Sequence, residues 1–309
     1  MTGGAGWVAG DVRGRALLSR RVGADGALRL ATSPALADAV AALASGPYGR
    51  TVRAGQELRE AEHAVGAALL WHLRVLAGWQ PRAGAEAVRQ LAGWFEIANV
   101  VEHARALAGL PAGPRYRIGR LTTAWPRLTA TNTGAELRAV LATTSWEDPG
   151  SAAPAVVAVS MALSWAARVA AAVPEARAWA EGAAALLFAR RRFAAEDGEL
   201  PEPVASRVNV LLGTAVTANT WQGYVDGLRT DAGWPLAECH GPDALWLAEL
   251  AWWARVERDA AALLSVPRAG RGPVVGIVAY LALDAWRVRA ALQLAARGGR
   301  PVEAFDAFT

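Results

Sequence analysis

The stretch Trp94 to Leu107, WFEIANVVEHARAL, decides the fold. Steps of three and four residues put Trp94, Ile97, Val101 and Ala104 on one apolar side and Glu96, Asn99 and His103 on another, so the spacing predicts a helix with two unlike faces. Glu102 and Arg105, three apart, can pair along a third line. Such a helix can bury one side in a core and keep a short polar row for a neighbouring segment or subunit.

Upstream of it, Asp11 to Leu30 reads as one helix studded with Arg13, Arg15, Arg20 and Arg21. Ser33 to Gly49 follows as a short helix, with Ser33 as N-cap, Pro34 at the first helical position and Gly46-Pro47 as the stop before Tyr48. Glu57 to Leu76 and Ala83 to Leu107 are long amphipathic segments, and Pro111, Gly113 and Pro114 mark a boundary after them. Between Glu102 and Glu136 the chain carries Arg105, Arg115, Arg117, Arg120 and Arg127 with no acid, a linker that can face solvent, an acidic partner or lipid headgroups.

The outline then repeats. Thr131 to Trp146 copies the Ser33 segment as a polar start, a short helix and an aromatic, and a third version ends at Trp234. Long helices follow each copy: Val156 to Ala172 and Ala176 to Phe193 after the second, Ala244 to Leu264 and Pro273 to Ala296 after the third. Glu181 and Arg190 stand at the offset of Glu96 and Arg105, and Asp284 takes the acidic place in the last helix. The copies are too widely spaced for a solenoid of roughly 20 to 50 residues per repeat and suit a triplicated helical subdomain.

Composition narrows the function. The chain has no Lys, which excludes a P-loop lysine, a Schiff-base lysine and a kinase-type phosphate-pairing lysine. A formal charge of only +4 makes the sequence pI of 9.9 a consequence of missing Lys buffers rather than a nucleic-acid signature. Cys239 stands alone, so neither an intrachain disulfide nor a Cys-rich zinc site is available. His63 and His72 fall on opposite sides of one helix, and His103 and His240 lack visible ligand partners, so no metal or cofactor is expected. Glu196, Asp197, Glu199 and Glu202 read as solvated acid in a proline-flanked loop. The start shows no apolar secretory core, and the longest uncharged apolar run, Ala152 to Ala167, falls short of the roughly 20 residues of a membrane helix.

The ordered motifs from about Gly10 to Thr309 resemble the family of stalk-to-ring linker proteins of the V-type (A-type) rotary ATPases, lettered C in the archaeal and bacterial complexes and d in the eukaryotic one. The shared features are the arginine-rich start AGDVRGRALLSRR, the short helix ending at Tyr48, a long helix with Glu62, and an acid followed by Asn and Arg at Glu96, Asn99 and Arg105. A glycine precedes a short helix in IGRLTTAWPRL, the last long helix carries Asp284 and Arg289, and RGGRPVEAFDAF matches the tail. Arg287 stands where the family often has Asn, and Trp146 and Trp234 where it often has Tyr.

The resemblance implies an all-α protein of three similar helical subdomains, 1–110, 111–200 and 201–309, arranged as a funnel with pseudo-threefold symmetry. It implies a non-catalytic, peripheral protein on the cytoplasmic side, without cofactor, that joins the membrane proteolipid ring to the central stalk and touches the membrane only through the complex. Two readings of the polar rows Glu96/Asn99/Arg105, Glu181/Arg190 and Asp284/Arg289 stay open: intramolecular networks that fix helix packing, or rows lining a common axis against the stalk. Arg13, Arg15, Arg115, Arg117 and Arg120 form a candidate basic interface. An unrelated helical adaptor is the alternative, and an all-helical enzyme is disfavoured for want of a nucleophile or metal constellation.

Overall fold

Apolar residues at helical spacing run almost the length of the chain, and a computed structural model describes residues 3–195 and 200–298 as helices and turns, with no strand among the described residues. The helices are α1 Gly3–Leu18, α2 Gly23–Ala31, α3 Leu36–Ala44, α4 Leu58–Gly78, α5 Arg82–Leu91, α6 Trp94–Leu107, α7 Trp125–Leu128 and α8 Gly134–Ala142. They continue with α9 Pro154–Ala172, α10 Arg177–Ala189, α11 Glu202–Leu212, α12 Trp221–Gly227, α13 Thr230–Gly233, α14 Leu245–Ser265 and α15 Arg271–Ala295. The tail resembling the family's terminal acidic helix, and Glu196, Asp197 and Glu199, lie outside the described residues.

The chain divides into two compact units, Met1–Val88 with Trp253–Thr309, and Arg89–Trp252. In the first unit α15 is the central element. Every residue from Pro273 to Ala279 is buried, so this part of the helix is covered on all sides, and α1, α2, α3 and α4 pack against it. α1 approaches closely through glycine: a Cβ on Gly14 would stand 2.3 Å from the Ile277 side chain, and one on Gly10 equally close to Gln80. α4 begins with a reciprocal capping box between Glu57 and Glu60.

In the second unit α9 packs against α6, α10 and α11. One core cluster joins Val100 and Ala104 of α6 to Leu128, Leu137, Leu141, Trp146, Val157 and Met161. α9 is long and apolar enough, by length and composition, to cross a membrane; 44% of its most apolar window is buried inside the fold. Thr133 caps α8 by accepting the Glu136 amide, and Thr220 caps α12 by accepting that of Gly223.

Three local expectations are corrected. Asp11 to Leu30 is two helices, because the chain turns through Ser19–Val22 and enters α2 at Gly23 with φ +72°, a left-handed conformation that favours glycine. Ser33 does not cap α3: its hydroxyl donates back to the Arg29 carbonyl, and the helix starts at Leu36 behind an extended Ala35. Ala83 to Leu107 is interrupted between α5 and α6, where Trp165 of α9 donates to the Gln90 carbonyl and lies where a Cβ on Gly93 would be.

Candidate functional site

The three acids singled out by the repeat are all buried, at 1% exposure for Glu96, 5% for Asp284 and 8% for Glu181. A carboxylate in such a place is tolerated only if donors surround it. Glu96 has four. Its Oε2 accepts the Thr122 hydroxyl at 3.1 Å and the Thr123 amide, and its Oε1 accepts the Ala124 amide at 2.7 Å and the Trp146 indole N–H at 2.8 Å. Thr122 to Ala124 lead directly into α7, so a side chain nearly thirty residues away does the work of an N-cap. The indole N–H fastens the aromatic that follows α8, and Arg168 lies over the same indole at 4.7 Å.

Asp284 repeats this arrangement in the other unit. Its carboxylate accepts the Gly23 amide at 2.7 Å and the Val22 amide at 3.3 Å, at the start of α2, and the Tyr48 hydroxyl at 3.0 Å, just after α3. Burial, then the adjacent carboxylate, push the Tyr48 phenol well above its usual range, so it stays a donor. In both places one acid caps the first short helix and holds the aromatic behind the second.

Glu181 is the incomplete copy. One oxygen meets only Arg229, at 3.4 Å, and the other is buried without a hydrogen-bond partner. The corresponding aromatic, Trp234, donates instead to the Ala178 carbonyl one turn earlier on α10, and packs where a Cβ on Gly182 would stand.

The polar row on α6 does not pair with itself. After α6 the chain turns at Gly109, φ +70°, and returns along the helix, and successive polar side chains take its backbone in reverse order. Arg105 donates to the Pro111 carbonyl at 2.8 Å, and Glu102 accepts the Gly113 amide. Asn99 takes both sides of Tyr116, accepting its amide at 2.6 Å and donating to its carbonyl at 2.8 Å. Glu96 follows with Thr123 and Ala124. The Glu102–Arg105 pair expected from the sequence is a loose 3.9 Å contact beside these bonds.

The remaining members of the rows separate. Arg190 pairs with Glu249 at 2.8 Å on the exposed surface, and Arg289 approaches Glu62 at 3.8 Å. Neither arginine meets the acid of its own row. Arg15 is held by Asp11 and the Leu264 carbonyl, and Arg13, Arg115, Arg117 and Arg120 are exposed. Glu96 and Asp284 are therefore brought to backbone amides and Glu181 to an arginine, none of them to each other, and burial removes all three from reach of an outside partner.

One residue escaped the sequence reading. Arg207 of α11, only 12% exposed, donates to the carbonyls of Trp146 and Asp148 and to the hydroxyls of Ser160 and Ser164 at 2.7–3.3 Å, tying α11 to the turn after α8. Its signal is its place among Val204, Val208 and Leu211, on a line that is otherwise buried. His103 accepts from Arg115 at Nδ1, 3.1 Å, and its Nε2 faces the Thr131 hydroxyl at 3.0 Å, which itself donates to the Leu128 carbonyl; these partners assign the neutral tautomer with hydrogen on Nε2.

No known family model matches the chain, and no curated protein matches it.

Two tests follow from the geometry. Glu96→Ala leaves two backbone amides and an indole N–H without their charged acceptor and is expected to cost about 3–5 kcal/mol in urea unfolding. Glu181→Leu removes a buried, half-satisfied carboxylate and is expected to fall within about 1 kcal/mol of the parent. Comparable losses at the two sites would contradict the difference drawn between them.

Burial, with Arg20 and Arg50, pushes His72 down to about 4, and burial with Arg115 pushes His103 down. Both are neutral in the fold, while the unfolded chain takes up protons near pH 6.5. Their contribution is present in full above that pH and is lost as pH falls toward 4. His72 alone implies a loss on the order of 2 kcal/mol between pH 7 and pH 5. Urea midpoints at half-unit pH intervals should show this decline, and a His72→Gln/His103→Gln variant should flatten it.

Proposed function

We propose that the chain is a non-catalytic rotor-linker subunit of a V/A-type proton- or sodium-translocating ATPase. It joins the central stalk of the ATP-hydrolysing sector to the membrane proteolipid ring and transmits torque between them. The observation that carries this reading is the recurrence of one device at Asp284, Glu96 and, in reduced form, Glu181. Glu96 and Asp284 are acids that the resemblance singles out, Glu181 is the one that the internal repeat adds, and each meets a residue of the short-helix segments that the sequence repeats.

Helix packing groups the chain as α15 with α2, α3 and α4; α6 with α7, α8 and α9; and α10 with α13, with α12 through the Tyr224 hydroxyl bonded to the Ala185 carbonyl, and with α14 through the Trp252 indole bonded to the Trp179 carbonyl. The first group closes the N-terminal helices onto the last helix. Three such modules in a funnel, on the cytoplasmic side and peripheral to the membrane, belong to the proposal. Their grouping is offset from the stretches 1–110, 111–200 and 201–309, because Glu96 holds the short helices that follow it and Asp284, on the last helix, holds the first ones.

The chemistry suits a mechanical part. The donors around Glu96 and Asp284 all come from the chain itself, and their charged hydrogen bonds resist sliding of the short helices along the long ones. The partners of the reading are the proteolipid ring and the proteins of the central stalk, with no nucleic acid and no cofactor. A helical adaptor unrelated to rotary ATPases is the second reading, favoured by the division into two compact units rather than three.

The test is recovery of the tagged chain from solubilised native membranes, with mass spectrometry of what accompanies it. The rotor-linker reading expects proteolipid and stalk proteins in the same complex. A monomer in the soluble fraction, without them, would move the function to the adaptor reading.

A further inference from the structure

The segment after α6 is held in a way that its own sequence does not require. Residues 110–118 have no regular secondary structure, and loops of this composition, with Gly109, Pro111, Gly113 and Pro114, are commonly mobile. Here Arg105, Glu102 and Asn99, spaced three apart along one line of α6, bind the backbone at Pro111, Gly113 and Tyr116. Tyr116 also sets its ring edge-on against Phe95, centroids 5.0 Å apart, and Ile118 and Leu121 are buried. Tyr116 and Ile118 thus face inward, and the arginines before, between and after them, Arg115, Arg117 and Arg120, are exposed. In an extended chain the first two stand about 7 Å apart. Arg115 is ordered further, lying over Trp125 at 5.6 Å and donating to His103.

We propose that this clamped edge, Arg115, Arg117 and Arg120, is a docking surface for an acidic protein segment. The stretch's own charge is one-sided, since its sequence carries no acid between Glu102 and Glu136. The clamp fixes the arginines before a partner arrives, which lowers the ordering cost of a geometrically matched set of carboxylates. A lipid surface fits less well: attraction to headgroups needs no fixed spacing, and it is ordinarily joined by several apolar anchors. Among the exposed large hydrophobic residues only Leu110 lies in this stretch. The inference does not rest on the rotor-linker reading and holds for whichever assembly carries the chain.

The test uses the purified full chain with a fluorescein-labelled twelve-residue Glu/Asp peptide, and in parallel with phosphatidylcholine vesicles with and without phosphatidylserine. The expected result is peptide binding that weakens with salt and falls at least about tenfold in Arg115→Gln/Arg117→Gln/Arg120→Gln. A control with Arg29, Arg59 and Arg82 changed to Gln should keep the parent affinity. Asn99→Ala leaves every charge in place and only loosens the clamp; it should weaken binding about threefold. Should that variant not fold by circular dichroism, Asn99→Ser, which also leaves every charge in place, carries the same expectation. Equal peptide binding by the parent and the triple variant would overturn the proposal. So would binding confined to phosphatidylserine vesicles, or parent affinity in a folded clamp variant.

Discussion

A carboxylate buried among helices is stable only where N–H and O–H groups converge on it, and the two units depend on such points at Glu96 and Asp284. Each sits on a long helix and gathers the amides at the head of one short helix together with the polar atom of an aromatic behind another. One interaction therefore sets three things at once: where the first short helix begins, how the second ends, and how both lie on the long helix. The apolar contacts around Trp146, Leu137 and Leu141 supply much of the burial, but apolar contact is tolerant of sliding. The carboxylate is what fixes register.

The same logic extends down α6. Polar side chains in a helix can pair with each other at three- and four-residue spacing, and that pairing contributes only a few tenths of a kcal/mol at the surface. In α6 they are used on backbone instead. Arg105, Glu102, Asn99 and Glu96 meet Pro111, Gly113, Tyr116 and Thr123–Ala124 in that order, so a chain with little helical propensity is laid antiparallel on the helix without a strand partner. Exposed arginines then stand on a fixed edge, while the buried acids serve groups of the chain itself.

Much of this was legible beforehand, and what was missed has a common cause. Periodicity located α4, α8, α9 and α15 closely, because their apolar stripes are long and their ends carry local signals such as Glu57, Thr133 and Pro154. The breaks between α1 and α2 and between α5 and α6 were missed, since beyond the glycines at Gly23 and Gly93 the groups that bond there, Asp284 and Trp165, come from far along the sequence. The repeat picked out three acids that prove to be buried, but spacing within one helix names no partner for Glu96, to which three-dimensional packing delivers a hydroxyl, two amides and an indole. Arg207 was passed over because a lone arginine reads as surface, although its neighbours at three and four residues are buried.

Hydrogen exchange at single amides reaches the central claim most directly, because specific backbone N–H groups are bonded to specific carboxylates outside any helix ladder. Gly23, Thr123 and Ala124 should exchange as slowly as amides inside α6 and α15, through global unfolding, and Thr123 and Ala124 alone should lose that protection in Glu96→Gln. Exchange of these three amides at the rate of open loops in the parent protein would contradict it, leaving the fold to apolar packing alone.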